Sequence, residues 1–402
     1  MKYTISIICL ILIISCNLGV NDRLSSGEYV GKLEVEKGKY LPFNFSVIDD
    51  STLVVHNSSE HVEFSVKYLR DSIFINSKTF EGYIKGILKD GLINGEFIIE
   101  SLSREVPFQS FKSEKRFDMD FEENKKLTSN SWKFIFNPNK TSKSYSIGLF
   151  NSIGSNQISA TFRTTTGDYG FMQGGYTNNK LLLSTFNGAR AYLLEADING
   201  DSIKGVMYAG NHSKTIIEGV LDNTFKLANE YSLTYLKDNS KKFDFSFENM
   251  KGELISINDD RYIDKPMVIQ MMGSWCPNCL DESRFYVDYL KDNNLKDIEF
   301  VGLAFEYAKT KQGALNNILK LKKELGINYP ILLAQYGGTD KRKALSKFPM
   351  LNNLISYPTT VFLNKNKEVV KIHTGFNGPA TGKKYLDFIE EFDRTIKSMV
   401  VN

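Results

Sequence analysis

Cysteine is scarce in this chain. Four occur in 402 residues, at positions 9, 16, 276 and 279, and the first two lie in an apolar leader. What remains is one pair separated by two residues. No framework of structural disulfides can be drawn from it, and cysteine chemistry is confined to one place. Histidine is equally rare, with four residues. His56, His61 and His212 have no Cys or Asp/Glu neighbours at metal-ligand spacing and read as surface or hydrogen-bonded side chains. A second Cys pair that could complete a zinc site is missing, and Leu280 rather than His follows Cys279, which removes the signal for c-type haem attachment. No metal is therefore expected. An excess of one charge is missing too: 50 basic and 47 acidic residues leave a net charge of +3. That balance argues against a nucleic-acid partner.

What is present fits a globular chain of two or three domains, with 42% hydrophobic and 24% charged residues. Residues 1–16 read as a targeting segment. Lys2 supplies a short basic start, and the mostly apolar run from Ile5 to Ile14 is too short for a membrane-spanning helix of ~20 residues. Ile13-Ile14-Ser15-Cys16 resembles a bacterial lipobox. That resemblance implies cleavage before Cys16, lipidation of its sulfur and a membrane anchor, with an ordinary secretory signal as the alternative. Residues 17–26 read as a linker.

Residues 27–230 read as nearly all β. Runs such as Phe43-Asn44-Phe45-Ser46-Val47 and Val62-Glu63-Phe64-Ser65-Val66 alternate apolar and polar side chains. Turn signals at Asp49-Asp50, Asn94-Gly95, Asn187-Gly188 and Asn199-Gly200-Asp201 suggest an antiparallel sandwich or barrel. No long amphipathic helix is expected before about residue 275. A weak echo between Phe80-Glu81-Gly82 and Phe186-Asn187-Gly188 hints at two halves, 27–115 and 128–225. This region reads as a spacer or docking surface. Its best candidate for a binding patch is the glycine- and aromatic-rich stretch 165–176, whose composition fits an ordinary hairpin or barrel edge better.

After a polar linker at 231–242 the pattern changes. Strand-like Met267–Met272 precedes Gly273-Ser274-Trp275-Cys276-Pro277-Asn278-Cys279, and a helix-like period runs on from there to Asn293. The cysteines thus sit where a strand becomes a helix. Unpaired N–H groups and the positive end of the helix dipole favour thiolate at such a place, and they can lower a thiol pKa from about 8.5 to between about 3.5 and 7.5. Two intervening residues set the thiols about one helical turn apart, so they can close a disulfide. Pro277 suits the first turn, where its missing N–H costs nothing. Beyond it, strands are expected at 298–305, 359–363 and 368–372, and helices at 311–325 and about 380–399.

Trp275-Cys276-Pro277-Asn278-Cys279 after a strand resembles the active site of the thioredoxin superfamily. Among its branches it is most similar to the TlpA/ResA-like extracytoplasmic reductases, over roughly residues 240–402. Tyr357-Pro358-Thr359-Thr360 resembles that family's cis-proline segment, and Glu282 stands where such reductases carry a glutamate that tunes proton transfer. The long stretch between Cys279 and Pro358 matches an insertion in the same branch. The β-rich first half is similar to the extensions of Bacteroidetes-type lipoproteins.

The resemblance implies an α/β thioredoxin-fold domain at 243–402 behind an all-β region, and a thiol–disulfide oxidoreductase. Cys276 is then the attacking thiolate, Cys279 the resolving thiol and Glu282 the proton acceptor. Trp275, Pro277, Tyr357 and Pro358 shape the substrate groove. No cofactor is implied beyond the redox-active Cys276–Cys279 disulfide. The implied partners are protein disulfide substrates and a membrane thiol reductant, in the cell envelope facing the periplasm. The sequence departs from thioredoxin at Gln270, where the usual aspartate is missing, and this shifts the role of base to Glu282. Two other readings compete. A peroxidase of the peroxiredoxin type resembles P-x-x-x-T-x-x-C, but here Gly273 replaces the threonine. A non-enzymatic binding lipoprotein would make the dithiol incidental.

Overall fold

The computed structural model describes residues 23–401 apart from 238, 239, 241 and 296. The leader, including Cys16, and the linker up to residue 22 lie outside the described residues.

Eight strands form the first unit: β1 (Gly27–Glu36), β2 (Lys39–Asp49), β3 (Thr52–Asn57), β4 (Glu60–Leu69), β5 (Ser72–Ser77), β6 (Tyr83–Lys89), β7 (Leu92–Ile99) and β8 (Arg104–Lys112). Each pairs antiparallel with the next, and β8 returns to β1 at Tyr29↔Lys112, closing a barrel without free edges. Alternation does the sorting: every second residue of β3 and β5 is buried, and Leu41, Phe43, Phe64, Ile73 and Ile93 fill the interior. An eight-stranded barrel is about wide enough for side chains to fill it.

Asn94-Gly95, expected as a turn, instead lies inside β7. The chain turns at Asp90-Gly91, where both residues take positive φ (53° and 73°). Gly95 is needed for another reason. It crosses Gly86 so closely that a Cβ would lie 2.1 Å from the Lys85 carbonyl.

After α1, a single helical turn (Lys125–Thr128), the second unit follows: β9 (Trp132–Phe136), β10 (Ser144–Ile153), β11 (Gln157–Thr164), β12 (Gly167–Asp168), β13 (Met172–Thr177), β14 (Lys180–Phe186), β15 (Ala191–Asn199), β16 (Ser202–Ala209) and β17 (Ser213–Leu221). The order is β10-β9-β17-β16-β15-β14-β13-β11, and β11 pairs back onto β10, so this sheet also closes on itself. The short β12 pairs with the end of β11. The two barrels share a core, in which Phe186 stacks on Phe43 at 4.3 Å. Buried Arg116 ties them together by donating to Asn44 Oδ1 (3.0 Å), the Ser184 carbonyl (3.0 Å) and the His56 carbonyl.

The third unit is α/β. It comprises β18 (Ser246–Glu248), β19 (Leu254–Ser256), β20 (Met267–Met272), α2 (Pro277–Asn293), β21 (Glu299–Phe305), α3 (Lys311–Leu325), β22 (Ile331–Gln335), α4 (Lys341–Leu345), β23 (Thr359–Leu363), β24 (Val369–Thr374) and α5 (Lys383–Val401). The sheet order is β19-β18-β22-β21-β20-β23-β24. β20, β21 and β22 run parallel, while β23 is antiparallel to β20 and β24 to β23. A βαβ unit followed by ββα is the thioredoxin fold. Central β20 is buried at all six positions, as a strand covered on both faces must be.

The stretch read as a linker does not hang free. Thr374 and Thr234 are joined by a hydroxyl–hydroxyl bond at 2.9 Å, and Lys237 N–H donates to the Met350 carbonyl at 2.8 Å. Among the described residues no helix is long and apolar enough to cross a membrane.

Candidate functional site

β20 delivers the chain to the sheet's edge, and Gly273 turns it. The turn is tight, since a Cβ at Gly273 would lie 2.2 Å from Trp275 Nε1. Cys276 is then the N-cap of α2, in extended conformation (φ −94°, ψ 114°), with Pro277 in the first turn. Its Sγ accepts the Cys279 N–H at 3.2 Å, so the sulfur takes the place that a Ser or Asp oxygen fills at ordinary helix starts. This contact stabilises negative charge on Sγ. The two sulfurs are unbridged. Cys276 is 5% exposed and Cys279 fully buried.

The second strand pair brings the proline. The Tyr357–Pro358 peptide is cis, and the Tyr357 carbonyl accepts from Cys276 Sγ at 3.5 Å. The Tyr357 ring stacks on Phe305 at 5.0 Å and meets Trp275 edge-on at 6.1 Å. Trp275 Nε1–H donates to the Phe305 carbonyl at 2.8 Å, which locks the indole beside the thiol. Residues about 80 positions apart in sequence thus form one wall.

Beneath the dithiol lies a buried polar layer. Glu282, on the inner face of α2, is fully buried, which excludes a solvated helix position. Its Oε2 accepts from Gln270 Nε2 at 2.8 Å and its Oε1 from Thr360 Oγ1 at 3.0 Å. Burial pushes its carboxyl up to about 7, partly offset by bonds from Gln270 and Thr360. Gln270 Nε2 also reaches the Cys279 carbonyl at 3.3 Å. The residue that replaces thioredoxin's aspartate therefore links the glutamate to the second cysteine. Burial pushes the Cys279 thiol well up, and the adjacent Cys276 sulfur adds to the shift. This thiol needs a base before it can attack, and a carboxyl poised near neutrality lies close by.

A second buried carboxyl, that of Glu306 just after β21, has no signal in the sequence. Glu306 accepts from Ser274 N–H at 2.8 Å and Ser274 Oγ–H at 2.6 Å. Burial raises it to about 7 as well. It braces the turn just before Trp275 and Cys276.

His373 is buried in β24. Its ring lies against Phe388 at 5.1 Å and Tyr231 at 4.9 Å, and its Nδ1 lacks a partner. Burial holds it down at about 4. His56 and His61 face each other across β3 and β4, with their Nδ1 atoms 2.9 Å apart. Among the described residues no group of His, Cys, Asp and Glu could hold a metal ion.

The stretch 165–176 contributes β12 and part of β13 and lies against the redox site. Gly167 bridges to Phe376, and Asp168 accepts the Gly378 N–H at 2.6 Å. Arg190, from the turn between β14 and β15, donates to Asn278 Oδ1 and to Asp281 Oδ2 (3.3 Å). These contacts, between residues 88 to 210 positions apart, left no local sequence signal.

Residues 237–387 match the Redoxin family model. No curated protein matches the chain. Among solved structures, a thioredoxin-family thiol:disulfide interchange protein of Chlorobium tepidum is 21% identical, with 40% of this chain and 96% of that one covered and a TM-score of 0.30. A DsbF homologue of Corynebacterium diphtheriae is 20% identical (42% and 99% covered, TM-score 0.29). A thiol-disulfide oxidoreductase of Bacteroides fragilis is 16% identical (37% and 99% covered, TM-score 0.27). The C-terminal part is a thioredoxin-fold redoxin domain.

Proposed function

We propose that this chain is an extracytoplasmic thiol–disulfide oxidoreductase that reduces disulfides of envelope proteins through Cys276 and Cys279. The observation that carries the reading is the Cys276 sulfur seated on the helix N-terminus, one turn from a buried thiol whose neighbouring carboxyl titrates near neutrality.

The Cys276 thiolate attacks one sulfur of a substrate disulfide, and the other substrate sulfur leaves as thiolate and takes a proton. The product is a mixed disulfide. Cys279 passes its proton toward the Glu282 carboxylate and attacks Cys276 Sγ, which releases the second substrate thiol. Two electrons have moved from the dithiol to the substrate, and Cys276–Cys279 is now the disulfide. A membrane thiol reductant restores it by the same exchange in reverse, so no cofactor other than the dithiol is required. The leader's lipobox-like end supports a lipid anchor on Cys16, which would hold the barrels and the redox domain outside the membrane.

Direction is tested by titrating the Cys276–Cys279 couple against defined thiol buffers. A potential below about −220 mV is the expected result, while one near −120 mV would make the protein an oxidant and overturn the reductase reading.

A further inference from the structure

An enzyme that attacks protein disulfides must present its thiol to a bulky partner, yet Cys276 is 5% exposed. Segments of the second barrel pack around the motif that carries it. The Thr166 carbonyl accepts from Ser356 Oγ at 3.4 Å, just before the cis-proline. Gly167 bridges to Phe376 in parallel register. It also touches the motif itself, since a Cβ at Gly167 would lie 2.1 Å from Asn278 Nδ2. Asp168 takes the Gly378 N–H at 2.6 Å. Burial raises the phenol of Tyr192, on β15, and charge on nearby Cys276 adds to that shift.

We propose that the loop from Thr164 to Phe171 is a lid, laid in the groove where an extended protein segment must bind, and that Arg190 is its latch. The proposal rests on the oxidoreductase reading for its meaning but not for its test.

The latch is polar. The Arg190 side chain is 3% exposed and lies 3.3 Å from Asp281, 4.0 Å from Glu60 and in hydrogen-bond contact with Asn278. It joins the first barrel, the second barrel and the start of α2. A contact made of buried charges and backbone bonds holds only while every partner is in place, because a lone buried charge is costly. Losing one partner therefore releases the whole patch. The loop also has pivots: Gly167 and Gly170 take φ of 147° and 71°, where a residue with Cβ is disfavoured. A Cβ at Gly170 would lie 2.7 Å from Arg190 Nη1, so lid and latch are packed together. A cavity of about 300 Å³ beside Arg190, lined by Glu60, His61, Phe171 and Arg284, leaves room for the arginine to swing. A substrate disulfide reaches Cys276 when the loop lifts, and its extended segment replaces the Thr166–Asp168 backbone against Ser356 and Phe376.

The test is alkylation of reduced, full-length protein with a polyethylene-glycol maleimide, and the Cys276 adduct is quantified by peptide mapping. If the lid is real, Arg190→Gln and Gly167→Ala each raise the rate at least about tenfold over wild type, equivalent to about 1.4 kcal/mol of lost docking energy. Iodoacetamide, being small, narrows that ratio. Hydrogen exchange is the second measurement and needs no variant of the lid or the latch. The Gly378 amide, held by Asp168 of the lid, should be protected and lose protection when a disulfide-bonded peptide is added to the Cys279→Ser protein. A wild-type rate equal to both variants', or an unprotected Gly378 amide, overturns the lid. Fast alkylation of the variants without insulin-disulfide turnover in any form would leave the lid standing and remove the oxidoreductase reading instead.

Discussion

Gln270 and Glu282 are hydrogen-bonded under the dithiol, with Gln270 Nε2 donating to Glu282 Oε2 at 2.8 Å. The strand residue that in thioredoxin would be the carboxylic acid has become the amide partner of an acid on the helix. The carboxyl keeps a place in the buried layer but arrives from α2 rather than from β20. Gln270 also accepts from Ser283 Oγ at 2.9 Å, so its amide is held in one orientation by donors and acceptors on both sides.

Under the proposed mechanism the two cysteines are expected to fail differently. Cys276→Ser abolishes insulin-disulfide reduction. Cys279→Ser allows the first attack but not its resolution, so mixed disulfides accumulate on non-reducing gels. Unchanged turnover in both variants would remove the dithiol from the chemistry.

Resolution of the mixed disulfide should follow the ionisation of Glu282. Burial places that carboxyl at about 7, so the acceptor is empty only above neutrality, and the rate should rise through pH 7. Glu282→Gln removes this rise between pH 6 and 8. Identical single-turnover profiles for the two proteins would take Glu282 out of the proton path.

Stability should also depend on pH through the same group. The ordinary carboxyl value is 4.5, and in the folded protein it is about 7. Between these values the native state holds a proton that the unfolded state has released, so stability falls as pH rises from about 4.5 to about 7. The full effect is about 3 kcal/mol. Glu282→Gln should flatten that slope in urea unfolding at pH 5 and pH 8. Glu306, raised to about 7 by burial, acts with the same sign, so the double variant should be flatter still. An undiminished slope in the double variant would mean that neither acid carries it.

Arg116 should matter for the barrels rather than for the chemistry. Its guanidinium is buried and donates to Asn44, Ser184 and His56 across the barrel–barrel contact. Burial lowers its pKa to about 9. Arg116→Met removes all these donors and should cost roughly 2–4 kcal/mol, with Cys276 alkylation unchanged at low denaturant. A loss below about 0.5 kcal/mol would show that the arginine is not a tie between the barrels.

Much of the redox domain is legible in the sequence because its signals are local. The Cys276–Cys279 spacing, Pro277 in the first turn and the apolar run of β20 act within a few residues, and the observed α2, Pro277–Asn293, has the bounds that its pattern predicts. Alternation likewise marks the β-rich half, since a strand with one face inward needs period two. A local signal also misleads when tertiary contact outweighs it. Asn94-Gly95 has turn chemistry, but the glycine serves the close crossing with Gly86 inside two paired strands.

Sequence by itself thus determined the chemistry available: one dithiol at a helix start, a glutamate two turns further and a proline before a strand. Tertiary structure alone decided what each group experiences. Burial among distant segments raises the Glu282 carboxyl to about 7, and the bonds from Gln270 and Thr360, on two other strands, offset only part of that shift. Asn278, inside the motif, meets Gly167 and Arg190 of a different unit. Covalent order places groups along a helix or strand, but burial and charge pairing depend on which distant segments pack together.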